Sequence, residues 1–142
     1  FKVETIGEIE VIDYIRKING GDDSILIIDT RKKSWFEVNG HIPLSINIPA
    51  RNFKYDKSTK EILDDVMGVM VEGDIFDYTY ARTLVMYCNG SWCGKTPSAI
   101  NKLLSYGYPS HKIKYYRGGM QAWKSLGLTV VNVFNKGDEI IK

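Results

Sequence analysis

Apolar positions along the chain switch between a helical and a strand-like pattern. From Glu8 to Ile18, Ile9, Val11, Ile12, Ile15 and Ile18 recur near helical spacing, and Asn19-Gly20-Gly21-Asp22-Asp23 ends the run. The unbroken stretch Ser24-Ile-Leu-Ile-Ile28 suits a strand covered on both faces, and it closes at Asp29-Thr30-Arg31. A short turn of helix over Lys33 to Val38 breaks at Asn39-Gly40, and Ile46-Asn47-Ile48 before Pro49 predicts a second, short strand. Ile62, Leu63, Val66, Met67 and Met70 predict an amphipathic helix ended by Gly73-Asp74, with the methionines and nearby valines in the core. Leu84 to Tyr87 reads as a third strand, and Pro97 to Tyr106 as the clearest helix, stopped by Gly107. Ile113 to Tyr116 is a fourth strand, Met120 to Leu126 a short helix closed by Gly127, and Leu128 to Val131 a last strand. The alternation predicts an α/β fold: a central, mostly parallel five-stranded sheet flanked by helices on both faces. In such sheets the working site lies beyond the carboxyl ends of the strands, where Asp29 and Cys88 fall.

Composition narrows the function classes. A chain of 142 residues forms one domain, read here as residues 1–142, with a core of ordinary size. It is 44% apolar and 25% charged, with no apolar run near the roughly 18 residues of a membrane span. A net charge of +2, spread along the sequence, argues against nucleic acid as a partner. The basic residues Arg31-Lys32-Lys33 and Lys54 to Lys57 read as a solvated face. Two cysteines and two histidines reach four zinc ligands only if all converge, and His41 and His111 sit in no ligand pattern, so no metal or cofactor is expected. The chain opens on Phe1, not Met, and a cysteine pair in one loop suits either redox environment; a cytoplasmic or a periplasmic location is equally open.

Candidate chemistry gathers in one place. Leu84-Val-Met-Tyr87 runs into Cys88-Asn89-Gly90-Ser91-Trp92-Cys93-Gly94-Lys95-Thr96, and Thr96-Pro97 opens the next helix with Thr96 as expected N-cap and Pro97 at the first helical position. A thiol at this junction faces unpaired backbone N–H groups and the positive end of a helix dipole. Both favour anionic sulfur, so Cys88 should be more acidic than a free thiol at pKa ~8.5 and a better nucleophile.

Four blocks in this order resemble a rhodanese domain over most of the chain. They are Ile25-Leu-Ile-Ile-Asp-Thr-Arg31; Glu37-Val-Asn-Gly-His-Ile-Pro43 with Ser45-Ile-Asn-Ile-Pro49; Val85-Met-Tyr-Cys88; and Tyr116-Arg-Gly-Gly-Met-Gln-Ala-Trp-Lys-Ser-Leu-Gly127. The resemblance implies a rhodanese-like fold and a sulfurtransferase. Its cysteine, here Cys88, takes a sulfane sulfur from a small donor such as thiosulfate, a polysulfide or a persulfide. It then hands that sulfur to a thiol or cyanide-like acceptor, with no cofactor. The loop Asn89 to Thr96 would cradle the anionic persulfide with backbone N–H groups, and Gly90 and Gly94 would let it curl. The chain departs from the family in having a longer loop with no arginine between Cys88 and Arg117; Lys95 is the nearest substitute cation.

Several positions carry two readings. Cys93 is a second nucleophile, a resolving thiol that forms a Cys88–Cys93 disulfide, or a small loop residue. Lys95 is solvated or holds the donor. Trp92 is a rim for a substrate or partner, or packs onto the loop's own backbone. Arg31 and Glu37 are expected to pair, His41 to satisfy loop backbone, Trp123 to pack in the core, and Gly118-Gly119 to permit close approach to the loop. A cysteine phosphatase on the same fold needs an arginine in the loop, which is absent. The second functional reading is a persulfide carrier or interaction module loaded by a partner sulfur-relay protein. A thioredoxin-like redox pair has two residues between its cysteines, against four here.

Overall fold

The computed structural model describes residues 3–135. In chain order the strands are β1 (Glu4–Thr5), β2 (Ile25–Asp29), β3 (Ile46–Asn47), β4 (Met70–Glu72), β5 (Ile75–Asp77), β6 (Thr83–Tyr87) and β7 (Ile113–Tyr115). The helices are α1 (Glu8–Asn19), α2 (Asp56–Asp65), α3 (Lys95–Ser105) and α4 (Gly119–Ser125). Five strands form a wholly parallel sheet in the order β1-β7-β6-β2-β3, while β4 and β5 make a separate antiparallel hairpin.

The unbroken apolar runs of β2 and β6 have a direct cause. Side chains alternate across a strand, so both faces of a central strand need apolar cover. Leu84 and Met86 of β6 and Ile28 of β2 join Leu63 of α2 and Ala99, Ile100 and Leu103 of α3 on one face. Val85, Tyr87, Ile25 and Ile27 meet Val11 and Ile15 of α1 and Met120 and Trp123 of α4 on the other. Trp123 is buried as expected, and its indole N–H donates to the Thr129 carbonyl at 2.7 Å. Pairing β2 with β6 sets Asp29 level with Tyr87, so Thr30 and Cys88 emerge side by side at the carboxyl end.

Three expectations about elements need correction. The fifth strand is β1, pairing Glu4 and Thr5 with Lys114 and Tyr115, and not residues 128–131. Those later residues instead pack Leu128 and Val130 onto the α1–α4 face, with a single antiparallel bridge between Val131 and His41. The helix expected through Met70 ends at Asp65. Gly68, at φ +75°, turns the chain, and Met70 begins β4 with its side chain 60% exposed, although Met67 and Val69 are core as expected. The basic stretch at residues 31–33 is not uniformly solvated: Lys32 and Lys33 are exposed, but Arg31 is buried.

Candidate active site

Cys88 lies one residue beyond β6 and is 2% exposed. Its carbonyl accepts the Met120 N–H at 3.0 Å, and the next carbonyl, of Asn89, accepts the Gln121 N–H at 2.8 Å. The chain therefore leaves the sheet held against the first turn of α4. Gly119 makes that contact feasible. Its φ is +58°, and a Cβ there would stand 2.4 Å from the Cys88 oxygen and 2.8 Å from the Gly90 nitrogen. The expected close approach at Gly118-Gly119 is thus present.

A buried ion pair fixes the neighbouring strand end. Arg31 Nε donates to both carboxylate oxygens of Asp29 at 3.0 Å, and Nη2 reaches Oδ2 at 2.7 Å. The same Nη2 donates to the Gly40 carbonyl at 2.6 Å, and Nη1 to Asn89 Oδ1 at 3.2 Å. Arg31 therefore pairs with Asp29, not with Glu37 as expected. Both charges are almost wholly withdrawn from solvent, at 1% and 0% side-chain exposure, and only this forked geometry with further acceptors offsets their desolvation. The guanidinium also ties the β2 end to Asn89, one residue past Cys88. His41 Nδ1 lies 2.9 Å from the Phe36 carbonyl and its ring stacks on Phe36, which bears out the backbone role expected of it.

Cys88 and Cys93 are joined as a disulfide, with their Cα atoms 6.5 Å apart. Between them the chain makes a tight turn closed by the Cys93 N–H on the Gly90 carbonyl at 3.1 Å. Among the described residues, the main-chain N–H groups of Ser91, Trp92, Gly94 and Lys95 donate to no protein acceptor. The Trp92 ring packs over Gly90 of the loop's own backbone, where a Cβ would come within 2.3 Å of it, and the residue is 65% exposed.

The helix after the loop starts earlier than expected. α3 begins at Lys95 with Gly94 as its cap, which places Thr96 and Pro97 inside the first turn. Thr96 is fully buried and does not cap, because its hydroxyl lies 2.8 Å from that of Thr30. The Thr30 hydroxyl also donates to the Tyr87 carbonyl at 3.1 Å, so Thr96 supplies the proton between the two threonines.

Cations line two cavities that include loop residues. A cavity of about 300 Å³ is lined by Lys32, Arg51, Lys54 and Lys95 with Thr30. A second, of about 270 Å³, sets Ser91 of the loop beside Arg117, Thr5 and Tyr115. Arg117 is exposed at the carboxyl end of β7, the strand next to β6, and was not singled out in the sequence. Its place beside the loop follows from the strand order, in which β7 lies next to β6, and the sequence carries no local signal for it. Cys88 itself lines neither cavity. The phenols near the site are structural. Burial pushes Tyr87 well above the usual tyrosine range, while Tyr116 is raised first by burial and then by its hydrogen bond to Glu8. Among the described residues no group of three or more His, Cys, Asp or Glu could hold a metal.

No curated protein matches the sequence significantly. Solved structures with the same fold include an uncharacterized protein from Saccharomyces cerevisiae, 24% identical, covering 99% of this chain and 98% of that one with a TM-score of 0.63. A rhodanese-related protein from Thermoplasma volcanium is 20% identical, with coverage of 90% and 97% and a TM-score of 0.58. The single-domain sulfurtransferase RDL2 of Saccharomyces cerevisiae is 17% identical, with coverage of 88% and 91% and a TM-score of 0.57. At these identities the likeness speaks for the fold. The family model described as "Rhodanese-like domain" matches residues 12–126, a span that takes in β2, the cysteine loop and α4, and the chain accordingly belongs to the rhodanese-like domain family.

Proposed function

We propose that the chain is a sulfurtransferase that carries a sulfane sulfur as a persulfide on Cys88 and works as a single rhodanese-like domain over residues 1–142. The observation that carries this reading is the placement of Cys88. It leaves a central strand at the sheet's carboxyl end, backed by the first turn of α4, and its loop leads into the start of α3. In the thiol form, the unpaired N–H groups of Ser91, Trp92, Gly94 and Lys95 and the α3 dipole favour negative charge in this loop. The thiolate attacks the outer sulfur of the donor. The donor's sulfur–sulfur bond breaks, its remainder leaves with the electron pair, and the persulfide retains the transferred atom.

The loop holds no arginine, and Lys95 and Arg117 line separate cavities beside it. Both favour an anionic donor of the thiosulfate, polysulfide or persulfide kind, with a thiol or cyanide-like acceptor. The experiment is a steady-state transfer assay on the reduced protein with each donor, alongside Cys88→Ser and Cys93→Ser. Transfer lost with Cys88→Ser and kept with Cys93→Ser is expected; full transfer by Cys88→Ser with loss in Cys93→Ser reverses the assignment.

A second reading, a carrier loaded by a partner protein, is favoured by the exposed Trp92 on the loop. It predicts slow turnover with every small donor and fast loading from a protein persulfide.

A further inference from the structure

The disulfide joins two sulfurs with different surroundings. Cys88 is buried, and main-chain bonds from Met120 and Gln121 pin its peptide and the next. Cys93 is half-buried in a segment whose neighbours Ser91, Trp92 and Gly94 are exposed, and among the described residues its one main-chain tether is the turn to Gly90. Gly90 and Gly94 lie near it on either side, so this half of the pair can swing away and return while Cys88 stays in place. A purely structural staple would be redundant here. Both ends of the loop are already anchored, by Arg31 on Asn89 and by Thr30 on Thr96.

We propose that Cys93 is a resolving thiol that turns the persulfide of Cys88 into free sulfide, so that the domain releases sulfide at the expense of a dithiol. This rests on the reading of Cys88 as the sulfur-bearing residue. The Cys93 thiolate attacks Cys88 Sγ, forming the Cys88–Cys93 bond. The bond between Cys88 Sγ and the terminal sulfur breaks, and the terminal sulfur leaves with the electron pair as hydrosulfide, taking up the Cys93 proton. The sulfane sulfur is reduced by two electrons, one from each cysteine sulfur, and the product is the disulfide seen in this structure. An external dithiol then attacks the more accessible sulfur of Cys93, expels Cys88 as a thiolate, and closes a ring disulfide of its own. The cycle consumes one donor and one dithiol and delivers one sulfide.

A single-turnover experiment on reduced, desalted protein without added thiol tests the step. Wild type, Cys93→Ser, Cys93→Ala and Cys88→Ser are each given thiosulfate or a polysulfide, then desalted and weighed intact, with sulfide trapped and, in the thiosulfate arm, sulfite counted. Wild type should finish as the disulfide with no extra sulfur, after releasing one sulfide per chain. Both Cys93 variants should instead retain one added sulfur and release at least tenfold less sulfide. If wild type also retains the added sulfur and its Cys93 remains open to alkylation, the resolving role is overturned while Cys88 stands. If neither Cys93 variant gains sulfur from either donor, the reading of Cys88 falls and this proposal with it.

Discussion

The hydroxyls of Thr30 and Thr96 meet at 2.8 Å, both fully buried, and they join the end of β2 to the first turn of α3. Because Thr30 donates onward to the Tyr87 carbonyl, the two threonines form a directed chain, Thr96 to Thr30 to Tyr87. Deleting the middle member strands the Thr96 hydroxyl in the interior, whereas deleting Thr96 leaves Thr30 still bonded. Thr30→Val should therefore destabilise by about 1–3 kcal/mol and Thr96→Val by about 1 kcal/mol. The double variant should be more stable than the sum of the two losses predicts. Urea unfolding of the four proteins measures this; strict additivity would contradict the chain.

Gly119 should tolerate no side chain. Gly119→Ala forces a non-glycine residue to a positive φ, costing about 1–2 kcal/mol, and drives a methyl group against the Cys88 carbonyl and the Gly90 amide. The expected result is a lowered Tm together with slowed sulfur loading. Gly127→Ala, where a Cβ meets nothing within 4 Å, is a matched control with backbone strain alone, and it should keep its loading rate. Equal loading in both variants would show that the α4 contact does not position Cys88.

Alkaline unfolding should be coupled to tyrosine ionisation. Tyr87, Tyr108 and Tyr116 have folded pKa values raised above the ordinary 10.0, in each case first by burial. A raised pKa means that the folded state keeps its proton where the unfolded chain has lost it. The stability from these groups is thus fully present below pH 10.0 and falls as pH climbs past it toward the folded values. Phenolate absorbance from these residues should appear together with loss of helical circular dichroism. Complete ionisation of all nine tyrosines with the fold intact would contradict this.

Lys95 and Arg117 should act on donor binding more than on turnover. Each is an unpaired cation beside the loop, among the described residues, Arg117 exposed and Lys95 half-buried, and such a surface charge contributes up to about 1 kcal/mol. Lys95→Ala and Arg117→Ala should each raise KM for thiosulfate by up to about fivefold, with kcat little changed and the effect shrinking as salt rises. A loss confined to kcat would mean that the cation touches the reacting sulfur.

Much of this arrangement was legible in the sequence because it is written in local signals. The runs at Ile25–Ile28 and Leu84–Tyr87 are apolar at every position since both faces of those strands are covered, and Asp29 and Cys88 mark where cover ends. What escaped was set by partners distant along the chain. Glu4 and Thr5 form a strand with both side chains exposed, so no apolar pattern announces it. Thr96 has the composition of a cap, but Thr30, far away in sequence, claims its hydroxyl. Arg31 found Asp29 two residues away, a pairing visible in principle, because burying either charge alone is prohibitive. Arg117 reaches the loop only through the order of strands in the sheet, which no local reading supplies.

The central claim is that Cys88 bears the transferred sulfur, and peptide mapping tests it most directly. Reduced Cys93→Ser is exposed to a polysulfide, persulfides are trapped by alkylation, and the digest is sequenced by mass spectrometry. One extra sulfur on the peptide containing Cys88, absent when Cys88→Ser is added, is the predicted result; a Cys88 peptide that carries only the alkyl group after polysulfide treatment would contradict the account.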